Sequence, residues 1–181
     1  MIIRKLFRFE GAHIVRGGSS AYCSQNIHGH SYIVEIFITS DKLDNGCMLL
    51  DFSLLSDVKE FIESFDHSYS LWNKEDDEFK ACVYRFNQRV IEMPISPSSE
   101  GFALLFFYVI DQIISNIPRR NGEGNVRLHA VRVHETATGY AEAQREDLSW
   151  VDFSMQQIHF SDGIKTTWKN FSMDALLKMT N

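Results

Sequence analysis

The chain has 181 residues, 44% hydrophobic and 23% charged, which suits one globular domain and argues against disorder or a fibrous repeat. Lys and Arg total 18 against 24 Asp and Glu, a formal charge of −6 that disfavours a globally basic nucleic-acid binder. Three cysteines without framework spacing (Cys23, Cys47, Cys82), no signal-peptide core in Met1 to Arg8, and no apolar run longer than Phe102 to Ile110 give the expectation of a cytoplasmic protein without membrane contact.

Phe7 and Phe9 alternate with Arg8 and Glu10, the period of a half-buried strand, and Gly17 to Ser20 then mark a loop. His28 to Thr39 is rich in the β-branched and aromatic residues of strands. Asp44-Asn45-Gly46 is a turn signal, so Cys47 to Leu50 is expected to return as a hairpin partner, with Cys47 packed in it. Asp51 or Ser53 caps a helix to about Ser64, whose Leu54, Leu55, Val58, Phe61, Ile62 and Phe65 share one side. Residues 73–93 show no clear period and read as a long loop or short helix. A second helix runs from about Ser99 to Ile117, with Glu100 at its positive end and Pro118 stopping it. Its apolar positions nearly encircle it, which implies burial under a sheet or against another subunit. Asn121 to Gly124 is a turn and Val126 to Glu135 a strand. Strands of mostly antiparallel type with helices on one face give an α+β class.

His28-Gly29-His30 places two imidazoles on one face of a strand, and His13 shares the parity of Phe7 and Phe9 on the first. Three histidines around an open position make a catalytic zinc set, weighed against exposed histidines beside a turn. Cys23, five residues before His28, reads as a base or nucleophile, a fourth ligand, or an ordinary loop thiol. Asp66-His67 ends the first helix, where a carboxylate can orient a general acid–base, or where a histidinium simply suits the helix terminus. Glu135 closes the last strand, placed to take paired hydrogen bonds from an amidine-like heterocycle edge or to stand solvated.

The order of these pieces resembles the 6-pyruvoyl-tetrahydropterin synthase and 6-carboxytetrahydropterin synthase superfamily. The resemblance rests on Phe9-Glu10-Gly11-Ala12-His13, Cys23, Ile27 to Tyr32, Met48 to Phe52, Phe65-Asp66-His67, Pro97 to Glu100 and Val133 to Thr138, and covers roughly residues 3–141. It implies the tunnelling fold, an antiparallel four-stranded sheet with two helices on one face, here with an insertion at 74–96. Residues 1–141 would form that domain, and 142–181 an extension packed on the core or on a neighbouring subunit. It implies a homo-oligomer, trimer or hexamer, with interfacial active sites. By motif, His13, His28 and His30 would bind Zn2+, and Cys23 would abstract a proton. Asp66, His67 and Glu135 would assist proton transfer, and Glu135 with Thr136 would hold the pterin. Glu-Thr-X-Thr and the Cys23–His28 spacing look more like the 6-carboxytetrahydropterin synthase branch. That branch implies conversion of 7,8-dihydroneopterin triphosphate to 6-carboxy-5,6,7,8-tetrahydropterin with loss of acetaldehyde and triphosphate, towards queuosine. The alternatives are a 6-pyruvoyl-tetrahydropterin synthase, which keeps the side chain, or a non-catalytic zinc or pterin binder. Arg119, Arg120, Arg127 and Arg132 are candidates for the triphosphate or for plain surface solvation.

Overall fold

A computed structural model describes residues 1–180. In chain order the strands and helices are β1 (Ile2–His13), the one-turn α1 (Ala21–Ser24), β2 (His28–Thr39), α2 (Ser56–Glu63) and β3 (Ser68–Trp72). There follow α3 (Asp77–Phe86), β4 (Val90–Met93), α4 (Ser99–Asn116), β5 (Arg127–His134), β6 (Tyr140–Ala143), β7 (His159–Phe160), α5 (Asp162–Lys165) and α6 (Met173–Thr180). The strands form one seven-stranded sheet in the order β6-β5-β2-β1-β3-β4-β7.

The long β1–β2 pair comes from two matched alternating sequences. Its register is one-to-one, from Ile2 opposite Thr39 to His13 opposite His28. Phe9 on β1 and Tyr32, Val34, Ile36 and Ile38 on β2 turn to the covered face and are buried. That face packs on α2 through Phe61, on the turn after it through Phe65, and on α4 through Phe102 and Phe106, with Phe9 edge-on to both α4 rings. Asp51 caps the turn that enters α2 by accepting the Ser53 N–H at 2.8 Å. Ser98 caps α4, accepting the Gly101 N–H at 3.1 Å. Gly101 is required there, because a Cβ would stand 2.1 Å from the Ser96 carbonyl oxygen.

Two expectations are corrected. The sheet is mixed and seven-stranded: β6, β5, β2 and β1 pair antiparallel, whereas β1–β3 and β3–β4 are parallel. Short parallel strands reached through crossovers leave no hairpin signal in sequence. The expected return strand at Cys47 to Leu50 is not formed. The Asp44 carboxylate takes the Gly46 and Met48 N–H groups at 2.8 Å each, and the Asn45 N–H donates to the Asn121 carbonyl at 3.0 Å. These bonds curl the chain towards the 118–124 loop instead of back along β2. Cys47 is exposed with φ +60°, not packed in a strand. The fourth antiparallel strand is β6.

The 73–93 segment carries α3, capped by the Asp76 carboxylate on the Phe79 N–H at 2.8 Å. With Ile14, Tyr69, Leu71 and Val90, its Val83 builds a second small core on the sheet face opposite α2 and α4. Residues beyond 143 wrap α4 and α2. Phe153 meets Tyr108 edge-on at 5.2 Å, and Arg145 bonds the buried Asp111 of α4 at 2.6 Å. Trp168 donates to the Ser64 hydroxyl at 2.8 Å, and the Glu60 carboxylate takes the N–H groups of Lys169, Asn170 and Phe171. The apolar girth of α4 is thus covered by the sheet on one side and this wrap on the other. Trp150 and Met179, among the wrap's large apolar residues, stay exposed.

Candidate metal centre and surrounding residues

The β1–β2 register extends the buried row of Phe9 and Tyr32 directly into three imidazoles: His13 lies opposite His28, and His30 opposite Gly11. Gly29 allows this close approach, since a Cβ there would stand 2.8 Å from the Gly11 carbonyl oxygen. The candidate ligand atoms of His13, His28 and His30 all lie within 4.8 Å of one another, and Cys23 is not part of this group.

Hydrogen bonds fix the tautomers of two members of the trio, His13 and His28. His13 Nδ1 sits 2.5 Å from the Pro97 carbonyl oxygen and His28 Nδ1 2.9 Å from that of Asn26. A carbonyl only accepts, so each Nδ1 carries the hydrogen and each Nε2 presents a lone pair. Those two Nε2 atoms are 3.1 Å apart, and His30 Nε2 is buried with no hydrogen-bond partner. Three ring nitrogens this close together suit a divalent cation, which would satisfy all of them. Burial, reinforced by His28 and His30 and opposed by the Pro97 bond, lowers the His13 pKa to about 4, so the neutral ligand form prevails at neutral pH.

Glu135, just past β5, reaches the same place. Its Oε1 lies 3.6 Å from His13 Nε2, 3.8 Å from His30 Nε2 and 3.4 Å from the Tyr32 hydroxyl. Tyr32 is buried, with its oxygen 3.3 Å from both ring nitrogens of His13. Burial and the adjacent Glu135 push its pKa up, which keeps the phenol protonated as a donor. Thr136 accepts the Gly139 N–H at 3.1 Å and, with Glu135, Ser99, Glu100 and Tyr140, lines a cleft of about 210 Å³.

Asp66 and His67 follow α2. The Asp66 carboxylate takes the Glu10 N–H at 2.8 Å and pairs with His67 Nδ1 at 2.9 Å, while the His67 N–H donates to the Glu10 carbonyl at 2.7 Å. Burial alone would raise the Asp66 carboxyl, but the Glu10 N–H and His67 outweigh it and hold it below the usual range. His67 has φ +52°, a left-handed conformation costing a non-glycine residue about 1 kcal/mol, held by those bonds. Its exposed ring and His30 border one open cleft of about 440 Å³. Glu135 and Thr136 line the other cleft, and Glu135 lies 3.8 Å from His30, which borders the first.

Cys23 is half-buried on α1, with its carbonyl taking the Val15 N–H at 2.9 Å. His134 bonds the buried Glu35 at 3.0 Å, and His129 and His159 are exposed away from the trio. Of the arginines considered for a triphosphate, Arg119 is spent on the carbonyls of Ile114, Ile117 and Val126, and Arg132 on Glu142 and Glu35. Tyr32 and the carbonyls of Asn26 and Pro97 escaped the sequence reading. Tyr32 had a signal, its parity with His28 and His30, whereas a backbone carbonyl has none.

Comparison with known proteins bears on this arrangement. A 6-carboxy-5,6,7,8-tetrahydropterin synthase of Helicobacter pylori (strain J99) is 42% identical over 173 residues, spanning 93% of this chain and 86% of the relative. One of Aquifex aeolicus is 27% identical over 161 residues, spanning 80% of this chain and 98% of the relative. In solved structures, the 6-pyruvoyl tetrahydropterin synthase of Caenorhabditis elegans shares the fold with a TM-score of 0.56 at 18% identity, covering 80% of this chain and 94% of its own. The family model described as 6-pyruvoyl tetrahydropterin synthase matches residues 2–146, and the chain belongs to that family.

Proposed function

We propose that this protein is a zinc-dependent 6-carboxy-5,6,7,8-tetrahydropterin synthase. It would convert 7,8-dihydroneopterin triphosphate to 6-carboxytetrahydropterin with release of acetaldehyde and triphosphate, in the cytoplasm and on a route to queuosine. The observation that carries the reading is the trio His13, His28 and His30, with ring nitrogens close together and His30 Nε2 buried without a partner. The name shared by the 42%-identical relative selects the carboxy branch.

Zinc, when bound by the three imidazoles, supplies a Lewis acid that polarises the side-chain oxygens of the substrate and acidifies the adjacent C–H bonds. Cys23, on the loop before β2, takes the proton. His67, oriented through Nδ1 by Asp66, passes protons at its free Nε2. Glu135 accepts hydrogen bonds from the amino-pyrimidinone edge of the pterin, with Thr136 beside it, and the protonated Tyr32 phenol holds the Glu135 carboxylate in place. His67 and the Glu135–Thr136 pair line separate clefts of one chain. This supports sites completed between subunits of a homo-oligomer, with residues 1–141 as the catalytic domain and 142–181 as an extension on it.

Incubating zinc-loaded protein with 7,8-dihydroneopterin triphosphate tests the reading. Acetaldehyde and 6-carboxytetrahydropterin in equal amounts are expected. A pyruvoyl pterin without acetaldehyde would instead make the chain a 6-pyruvoyl-tetrahydropterin synthase, and no turnover with bound zinc would make it a binder.

A further inference from the structure

We infer that Arg16 and Glu75 are positioning residues, which lock the loop bearing Cys23 onto the α3 insertion. The inference rests on the reading of Cys23 as the proton-abstracting base and assigns a task to a segment whose purpose the sequence does not disclose.

The hydrogen bonds within the loop from Ile14 to Ile27 are local, and those of α1 tie it only to itself. The Val15 N–H bond to the Cys23 carbonyl closes its base, and Asn26 Nδ2 caps α1 on the Ala21 and Tyr22 carbonyls at 3.2 Å. Neither fixes the loop against the rest of the molecule. Arg16 does so from several directions. Its Nη1 donates to the carbonyl of Ser24, the residue after Cys23, at 3.0 Å, and its Nε donates to Glu75 Oε1 at 2.7 Å. Its guanidinium carbon lies 5.3 Å from the centroid of the Phe79 ring, and its own carbonyl receives the Ser96 hydroxyl at 3.4 Å.

The partners of Arg16 are themselves held. The Glu75 side chain is only 6% exposed, so its carboxylate depends on the guanidinium for charge compensation. Phe79 lies four residues on, at the capped start of α3, and Lys80 Nζ ties the same turn to the Asn73 carbonyl at 2.6 Å. Ile14, at the loop's root, belongs with Val83 of α3 to the second small core. A planar guanidinium is the group that reaches a backbone carbonyl and a carboxylate together while resting on an aromatic ring. An ammonium at the same place has donors enough but lacks the flat, extended fork that spans both partners while stacking on the ring. The insertion therefore sets where Cys23 stands relative to the histidine trio, without itself contributing a group to the chemistry.

The test uses full-length, zinc-loaded protein carrying Cys47→Ser and Cys82→Ser, exposed thiols outside the site. Arg16→Ala, Arg16→Lys and Glu75→Gln are compared by Cys23 alkylation with iodoacetamide, by amide exchange at Val15, and by kcat and KM. Expected in all three variants is Val15 exchange at least about tenfold faster, with the β2 amides unchanged. Alkylation of Cys23 should rise at least about threefold, and kcat should fall at least about tenfold while KM moves less than about threefold. Zinc content should stay at its starting value. If Arg16→Ala does not fold, Arg16→Lys and Glu75→Gln carry the test alone. Unchanged exchange and alkylation in folded, zinc-loaded variants overturn the lock. Cys23→Ala separates the two readings: if it turns over normally, the base assignment falls, while the exchange and alkylation results still decide whether Arg16 and Glu75 hold the loop.

Discussion

The two halves of the sheet solve different problems. On the antiparallel side, β6, β5, β2 and β1 bury one face under α2 and α4. Their other face carries Arg4, Glu35, Arg132, His134 and Glu142 in a chain of ion pairs and hydrogen bonds. Burial would raise the Glu35 carboxyl, but His134, Arg4 and Arg132 together hold it below the usual range. On the other side, β3 and β4 are covered twice, by α2 and the C-terminal wrap on one face and by α3 on the other. The one-sided half ends in the histidine trio; the two-sided half borders it through the Arg16–Glu75 contact. The lesson is a division of labour in which long, matched antiparallel strands give ligand registration, and doubly covered short strands give a fixed platform.

Four measurements can break or sharpen that contrast. His30→Ala removes a proposed metal ligand from the antiparallel half and should cost at least about 1,000-fold in turnover, with the bound metal lost on dialysis. Leu71→Ala on the platform should leave zinc stoichiometry intact, so loss of metal in that variant would break the division. In denaturant unfolding, Phe106→Ala, which touches Phe9, Phe61, Phe65 and Phe102, should cost about 4 kcal/mol, and Leu71→Ala about 3 kcal/mol. A reversed order would mean that the platform carries more of the stability.

The third measurement is pH-dependent. The folded-state pKa of His13, about 4, lies below its unfolded value of 6.5, so the unfolded chain binds the extra proton between them. Metal-free protein should therefore keep this stability above pH 6.5 and lose about 3 kcal/mol in total as pH falls from 6.5 through 4. His13→Gln should flatten that window. Asp66 and Glu35, whose carboxyls are held low, should add their losses as pH falls further. The smallest effect expected is from Trp168→Phe. It removes the 2.8 Å bond to Ser64 and should cost about 1 kcal/mol, seen as a fall of about 2–4 °C in Tm with product formation retained.

The legibility of the chain followed the same division. Alternation in Phe7 to Glu10 and in the His28 segment pointed to β1 and β2, and the parity of His13, His28 and His30 anticipated the trio, because the side-chain period of a strand is fixed at two. The cap candidates Asp51 and Ser53, and Glu100 in the first turn of the second helix, placed the helix starts to within a few residues. Ser68 to Trp72 and Val90 to Met93 carry no clear signal, since strands of five and four residues give too short a pattern to separate from a loop. Cys47 was misplaced because Asp44 redirects its turn by side-chain bonds that a turn dipeptide does not announce.

The sequence by itself therefore determined the identity and order of the chemical groups and which of them share a strand face, since both follow from local covalent geometry. Only the tertiary structure decided that the Pro97 and Asn26 carbonyls set the tautomers of His13 and His28, that Glu135 and Tyr32 join the trio, and that Glu75 reaches Arg16. Each of these depends on residues tens of positions apart or on backbone atoms that carry no sequence signal, and only packing brings them within hydrogen-bond reach.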